Sequence, residues 1–176
     1  DRDSWATVLR IVLGNPDKAA AATRAGVGVL AMLLCDWKVV GLLADDVLGA
    51  RRENPAMPPD QRYVAAFAAI DADTNQFLAV VEDRATGTIV GCLQLSFVPG
   101  LSRLGMWRGQ IESVRIAARH RGGGLGRRMF EWAIAECRAR GCGLVQLTTD
   151  KARPDARRFY ESLGFAASHE GMKLNL

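Results

Sequence analysis

Two hydrophobic periods alternate along this chain. From Gly124 to about Arg140, Leu125, Met129, Phe130, Ala133, Ile134 and Cys137 recur at helical spacing, with Arg127, Arg128, Glu131, Arg138 and Arg140 on the other face. Gly141 and Gly143 close that helix. Gln61 to Ile70 predicts a second helix, with Val64, Phe67 and Ala68 inward and Ile70 beside them. A third is expected over residues 154–163, with Pro154 at its first position and Gly164 just past its end. Shorter apolar runs predict strands at Val8–Leu13, Phe77–Val81, Thr88–Phe97, Arg108–Ile116 and Leu144–Thr149. The turn Asp83–Gly87 makes the second and third of these an antiparallel hairpin. Phe165–Ser168 and Met172–Leu174 read as a closing pair of short strands.

The pattern is weakest near the start. Gly14-Asn15-Pro16-Asp17 is a turn signal, and Asp17 to Gly49 is Ala- and Leu-rich and mostly helical, broken into pieces by Gly26, Gly28 and Gly41. Arg51 to Pro59 is a polar loop, and Pro99 to Gly105 is another. The resulting order, β-α-α-β-β-β-α-β-α-β, is an α/β mixture around one partly antiparallel sheet. At 176 residues the chain suits one domain spanning 1–176.

Composition narrows this little: hydrophobic residues make up 49% and charged residues 24%, as in ordinary globular proteins. The longest apolar run, around Gly26 to Cys35, falls short of the roughly 20 residues a membrane helix needs. Four cysteines without a C-x-x-C pair read as buried thiols in a reducing compartment, so the expected location is the cytoplasm, with no membrane association. With only two histidines, no metal site is expected. Net charge is +4, but unevenly spread. Arg119, Arg121, Arg127 and Arg128 form one cluster, and Lys151, Arg153, Arg157 and Arg158 another. Such clusters suit a polyanionic small ligand or nucleic acid. Without a basic tail or an aromatic platform among the arginines, the small ligand is preferred.

The first cluster surrounds Arg121-Gly122-Gly123-Gly124-Leu125-Gly126, between an expected strand and an expected helix. A helix start offers backbone N–H groups without intrahelical partners, and glycines let a phosphate approach them. A P-loop fails here, because Gly122 leads to Arg127 where a second Gly followed by Lys is required. A dinucleotide fingerprint fails too, because Arg127 takes its third glycine position. Arg-x-x-Gly-x-Gly remains, read as Arg121, Gly124 and Gly126. The alternative of a plain glycine turn leaves the entropic cost of three successive glycines unexplained.

That pattern, after Ile111-Glu112-Ser113-Val114-Arg115-Ile116, resembles motif A of the GNAT superfamily of acetyl-CoA-dependent N-acetyltransferases. Ala156-Arg157-Arg158-Phe159-Tyr160-Glu161-Ser162-Leu163-Gly164-Phe165 resembles that superfamily's A-x-x-F-Y-x-x-x-G-F segment. The likeness covers residues 77–176 well and 1–60 only in outline. It implies a GNAT-like single domain, with a central mixed, mostly antiparallel sheet flanked by helices. It implies acetyl-CoA as co-substrate, no metal, and direct transfer of the acetyl group to a primary amine of a small molecule or protein. A homodimer is compatible with it.

The resemblance also distributes roles. Arg121, Gly122, Gly123, Gly124, Leu125, Gly126 and Arg127 would hold the pyrophosphate. The backbone of Val114, Arg115 and Ile116 would meet the pantetheine arm and supply the oxyanion donor. Tyr160 matches the general acid, a phenol of pKa about 10 beside a departing thiolate. Glu112 is the candidate base, because an alkyl amine of pKa about 10.4 must lose a proton before it attacks. By alternation Gln110, Glu112, Val114 and Ile116 share one strand face, on which a carboxylate would have a raised pKa. Each has a structural alternative: Tyr160 as core, Glu112 as an acid paired with Arg108 or Arg115. Many relatives carry an acid at the position of Gln110, and an Asn where this chain has Arg153. Arg153 or Arg157 would then be free to meet a 3′-phosphate.

For the acceptor pocket, the segment 36–60 and the loop 98–109 offer Trp37, Glu53, Met106 and Trp107 as liners, with Asp45, Asp46 and Glu53 as attractors of a cation. Two other classes stay open: a non-catalytic acyl-CoA-binding or sensing domain, and a nucleic-acid-binding protein.

Overall fold

The computed structural model describes residues 7–12, 28–30, 35–47, 49–83 and 85–176. Among them six strands form one sheet: β1 (Thr7–Val12), β2 (Gly28–Leu30), β3 (Gln76–Asp83), β4 (Thr88–Val98), β5 (Arg108–Ile116) and β6 (Leu144–Leu147). Their order across the sheet is β2-β1-β3-β4-β5-β6. The three central pairings are antiparallel and the two outer ones, β1 with β2 and β5 with β6, are parallel. Helices α1 (Cys35–Leu43), α2 (Gln61–Ala72), α3 (Leu125–Ala139) and α4 (Pro154–Glu161) flank it. The expected mixed, mostly antiparallel sheet is therefore present.

Two apolar clusters lie on opposite faces. On one, Leu93, Leu95, Phe97 and Ile111 pack against Leu125, Met129, Phe130, Ala133 and Cys137 of α3. On the other, Leu78, Val80, Ile89 and Cys92 pack against Val39 and Leu42 of α1 and Phe67 of α2. Gly109 is where α3 comes closest to β5: a Cβ there would run into Cys137 Sγ.

Several expectations are corrected. Gly28–Leu30 is a strand where helix was expected, because it pairs in parallel with Arg10–Val12. Val64 and Ala68, expected inward, are exposed, while Phe67 and Ile70 meet the core as expected. The Tyr63 hydroxyl donates to Glu53 Oε2 at 2.8 Å and accepts from the Asn54 N–H at 2.9 Å, tying the start of α2 to the loop before it. The closing strands at 165–168 and 172–174 are absent; Phe165 joins the α3 cluster instead, while Met172 and Leu174 are exposed. Residues 14–17 and 26, and the Trp37 side chain, lie outside the described residues.

Candidate active site

The site begins where β5 stops being a regular strand. Cys92 pairs with Arg115 and Gln94 with Glu112, so Ser113 and Val114 together stand opposite Leu93. This is a β-bulge, with Ser113 at φ 53°, a left-handed conformation that costs a non-glycine residue about 1–3 kcal/mol. The extra residue shifts the alternation. Val114 and Ile116 pack with Ile111 on the α3 face, whereas Arg115 lies on the other face, opposite Cys92. The expectation that Glu112 shares a face with Val114 and Ile116 is thereby corrected. Glu112 shares its face with Gln110, and it is exposed rather than set among apolar side chains. Neither Arg108 nor Arg115 forms an ion pair with it; Arg115 Nε lies 3.4 Å from Asp46 Oδ2 instead.

The strands β5 and β6 part at the same place. Their pairing runs from Arg108 with Leu144 to Ile111 with Leu147 and ends there. Beyond it, the free edge of β5 borders a gap. The Ala117 N–H donates to Val90 O at 2.9 Å, so that residue's polar groups face β4. Alternation then turns the main-chain groups of Ile116 and Val114 into the gap and those of Arg115 toward β4. The gap-facing carbonyls are taken by side chains: Val114 O accepts from Arg115 Nη1 at 2.9 Å and Ile116 O from Arg121 Nε at 3.0 Å.

The glycine loop closes one end of the gap. Gly122 and Gly124 both have φ 81°, in the left-handed region that favours glycine. Gly124 caps α3 without a side chain, and the first intrahelical bond is Arg128 N–H to Gly124 O at 3.2 Å. The N–H groups of Leu125, Gly126 and Arg127 are therefore the helix's orphan donors. No acidic residue stands in that first turn, while Arg127 and Arg128 do. Cations at a helix N-terminus oppose the macrodipole by about 0.3–1 kcal/mol each, and a bound anion reverses the sign. Arg127 also donates to Ser162 Oγ at 3.0 Å, tying α3 to the end of α4. In the second basic cluster Lys151, Arg157 and Arg158 are paired with Glu170, Glu161 and Asp155, which leaves Arg153.

Tyr160 projects from α4 into an aromatic cluster. Its ring centroid lies 5.4 Å from that of Phe130 and 6.3 Å from that of Phe165. Burial pushes its hydroxyl pKa above the ordinary phenol value, while the charges of Arg153 and Arg115 pull it down. Of the expected acceptor liners, Glu53 is held by Tyr63, Met106 lies against Gly143, and Trp107 is partly exposed.

Sequence reasoning missed Arg108 and Gln146. Gln146 Nε2 donates to Gln110 Oε1 at 2.8 Å across the last paired rungs of β5 and β6. Arg108 is half-buried, and its Nε has no hydrogen-bond partner among the described residues. Both face away from α3; Arg108 shares its strand and face with Glu112, and the sheet register places Gln146 opposite Gln110.

A bulged strand, its parting from a parallel neighbour, a glycine loop and an uncapped helix start follow one another at this end of the sheet. The model of the acetyltransferase (GNAT) family matches residues 45–165, and the chain belongs to that family. It is 38% identical over 92 residues to a glucosamine 6-phosphate N-acetyltransferase of Trypanosoma brucei brucei, a match spanning 52% of this chain and 60% of that one. It is 32% identical over 111 residues to an aminoalkylphosphonate N-acetyltransferase of Salmonella typhimurium, spanning 62% of this chain and 69% of that one. Among solved structures, a Bacillus halodurans C-125 protein described as a transcriptional regulator is 48% identical, with a TM-score of 0.78, over 82% of this chain and 95% of that chain.

Proposed function

We propose that the protein is a cytoplasmic acetyl-CoA-dependent N-acetyltransferase acting on a primary amine of a small molecule. One observation supports the reading: β5 loses its pairing with β6 beyond Ile111, on the strand that leads into the glycine loop and the N-terminus of α3, which no side chain caps. The α3 donors and Arg121 hold the pyrophosphate. A gap-facing N–H of β5 steadies the carbonyl oxygen as it gains charge. Glu112, exposed and on the face away from α3, accepts the amine's proton directly or through water. Tyr160 donates its proton to the departing thiolate, and a pKa raised by burial keeps it protonated at neutral pH. The named relatives acetylate amines, which supports the reaction type.

Thermal stability should rise with acetyl-CoA and not with ATP, because a ligand of the folded state stabilises it by mass action. Release of free CoA on addition of amines should follow. No stabilisation at saturating acetyl-CoA would remove the basis of the proposal. A second reading, a non-catalytic acyl-CoA sensor, is favoured by the neighbour described as a transcriptional regulator. Stabilisation by acetyl-CoA without turnover on any amine would select it.

A further inference from the structure

One column of side chains on β5 remains unused by the donor. Arg108, Gln110 and Glu112 alternate onto the face away from α3, since Gly109 and Ile111 turn toward it. Their ends carry opposite charges and lie four residues apart, about 13 Å along a strand. They form no ion pair with each other. Arg115, the next cation on that face, is engaged by Asp46.

Arg108 is held rigidly, its backbone paired with Val98 on one side and Leu144 on the other. Its guanidinium has no carboxylate partner among the described residues, although Nε is buried. A buried, unsatisfied charged donor is costly, and the ordinary remedy is an anion. Between the charged ends lies a row of neutral polar groups in cross-strand register: Gln76 with Ser96, Ser96 with Gln110, Gln110 with Gln146. Ser96 Oγ donates to Gln76 Oε1 at 2.6 Å, and Gln146 Nε2 to Gln110 Oε1 at 2.8 Å. The Gln110 amide N–H groups and the Gln146 carbonyl remain available. Those groups match hydroxyls, which both donate and accept.

We infer that the acceptor is a zwitterionic small molecule, its amine at Glu112 and a phosphate- or phosphonate-type anion at Arg108, with its polar body over Gln110 and Gln146. This rests on the acetyltransferase reading. Arg108 would then be the residue that sets acceptor preference. It binds the end of the acceptor remote from the reacting atoms, so its loss acts on KM rather than kcat.

The test compares matched acceptors: glucosamine 6-phosphate with glucosamine, and 2-aminoethylphosphonate with ethanolamine. A charge-assisted contact of about 1.5–3 kcal/mol predicts a preference of roughly 10- to 150-fold in kcat/KM for the anionic member of at least one pair. Arg108→Gln should abolish that preference by raising the acceptor KM, with the acetyl-CoA KM unchanged, and Arg108→Lys should restore part of it. Equal use of both members of each pair by the wild type would overturn the inference, even if Arg108→Gln does not fold. So would a preference that survives in folded Arg108→Gln, or failure of both anionic amines to be acetylated by a protein that acetyl-CoA stabilises. Absence of any stabilisation by acetyl-CoA would instead bring down the acetyltransferase reading itself.

Discussion

Replacing glycine by alanine should have opposite effects at two places with equal room. A Cβ added at Gly124 or at Gly41 meets nothing within 4 Å, so sterics do not separate them. Backbone conformation does. Gly124 caps α3 at φ 81° and ψ −2°, where an L-residue pays about 1–2 kcal/mol. Stiffening of the unfolded chain offsets about 0.4–1 kcal/mol of that, leaving a net loss of roughly 1 kcal/mol. Gly41 lies within α1, where alanine gains about 0.8–1 kcal/mol. For a domain of this size 1 kcal/mol moves Tm by about 2–4 °C. Gly124→Ala should therefore melt a few degrees below the wild type and Gly41→Ala a few degrees above it, by calorimetry or circular dichroism. Gly124→Ala has one other way out: the loop relaxes, Tm recovers, and acetyl-CoA binds more weakly because the orphan N–H groups have moved. A Gly124→Ala protein with unchanged Tm and unchanged acetyl-CoA affinity would refute both the conformation and its assigned role.

Three further outcomes are expected. Tyr160→Phe keeps the ring against Phe130 and Phe165, so stability and acetyl-CoA affinity should hold while kcat falls by about 10²- to 10⁴-fold; a steady-state assay showing less than a threefold fall would reject the acid role. Phe130→Ala removes a fully buried ring shared by Phe159, Tyr160 and Phe165, and should cost about 3–5 kcal/mol in a denaturant titration, with less than 1.5 arguing against a packed aromatic cluster. Burial pushes the Cys92 thiol up to about 12, so the folded state keeps its proton at a pH where the unfolded chain has lost it. Stability from this source is complete below about pH 8.5, the ordinary thiol value, and is lost as pH rises from there toward about 12. Cys92→Ala should melt with a shallower decline between pH 9 and 11, and an identical slope would count against that burial.

The sequence was legible where period and punctuation agreed. The run from Arg108 to Ile116, the glycine loop and the helix from Leu125 stand where expected because a strand period, three glycines and a helical stripe follow one another without ambiguity. The hairpin of β3 and β4 was equally plain. The strand Gly28–Leu30 was not, since three residues carry no period and only a long-range partner makes them a strand. Val64 looked inward on spacing alone, but it is exposed, and Phe67 with Ile70 meets the core. The bulge left no trace in the pattern. Ser113 is an ordinary strand residue by type, and only its left-handed φ moves Glu112 off the face of Val114 and Ile116. Gln146 escaped notice for a related reason: adjacency across parallel strands depends on register, which a single chain read in order does not display.

The bulge at Ser113 has a consequence for how this protein can change. A regular strand commits alternate residues to one face from end to end, so a substitution along it disturbs one neighbourhood throughout. Here the count is reset midway. Before Ser113 the residues turned from the helix meet whatever lies over Gln110; after it, Val114 and Ile116 pack on the α3 side. One strand is read in two frames. On the proposed function, mutations upstream would try new acceptors while the downstream half went on holding the same donor, which would make this nine-residue strand separable into an inventive part and a conserving one.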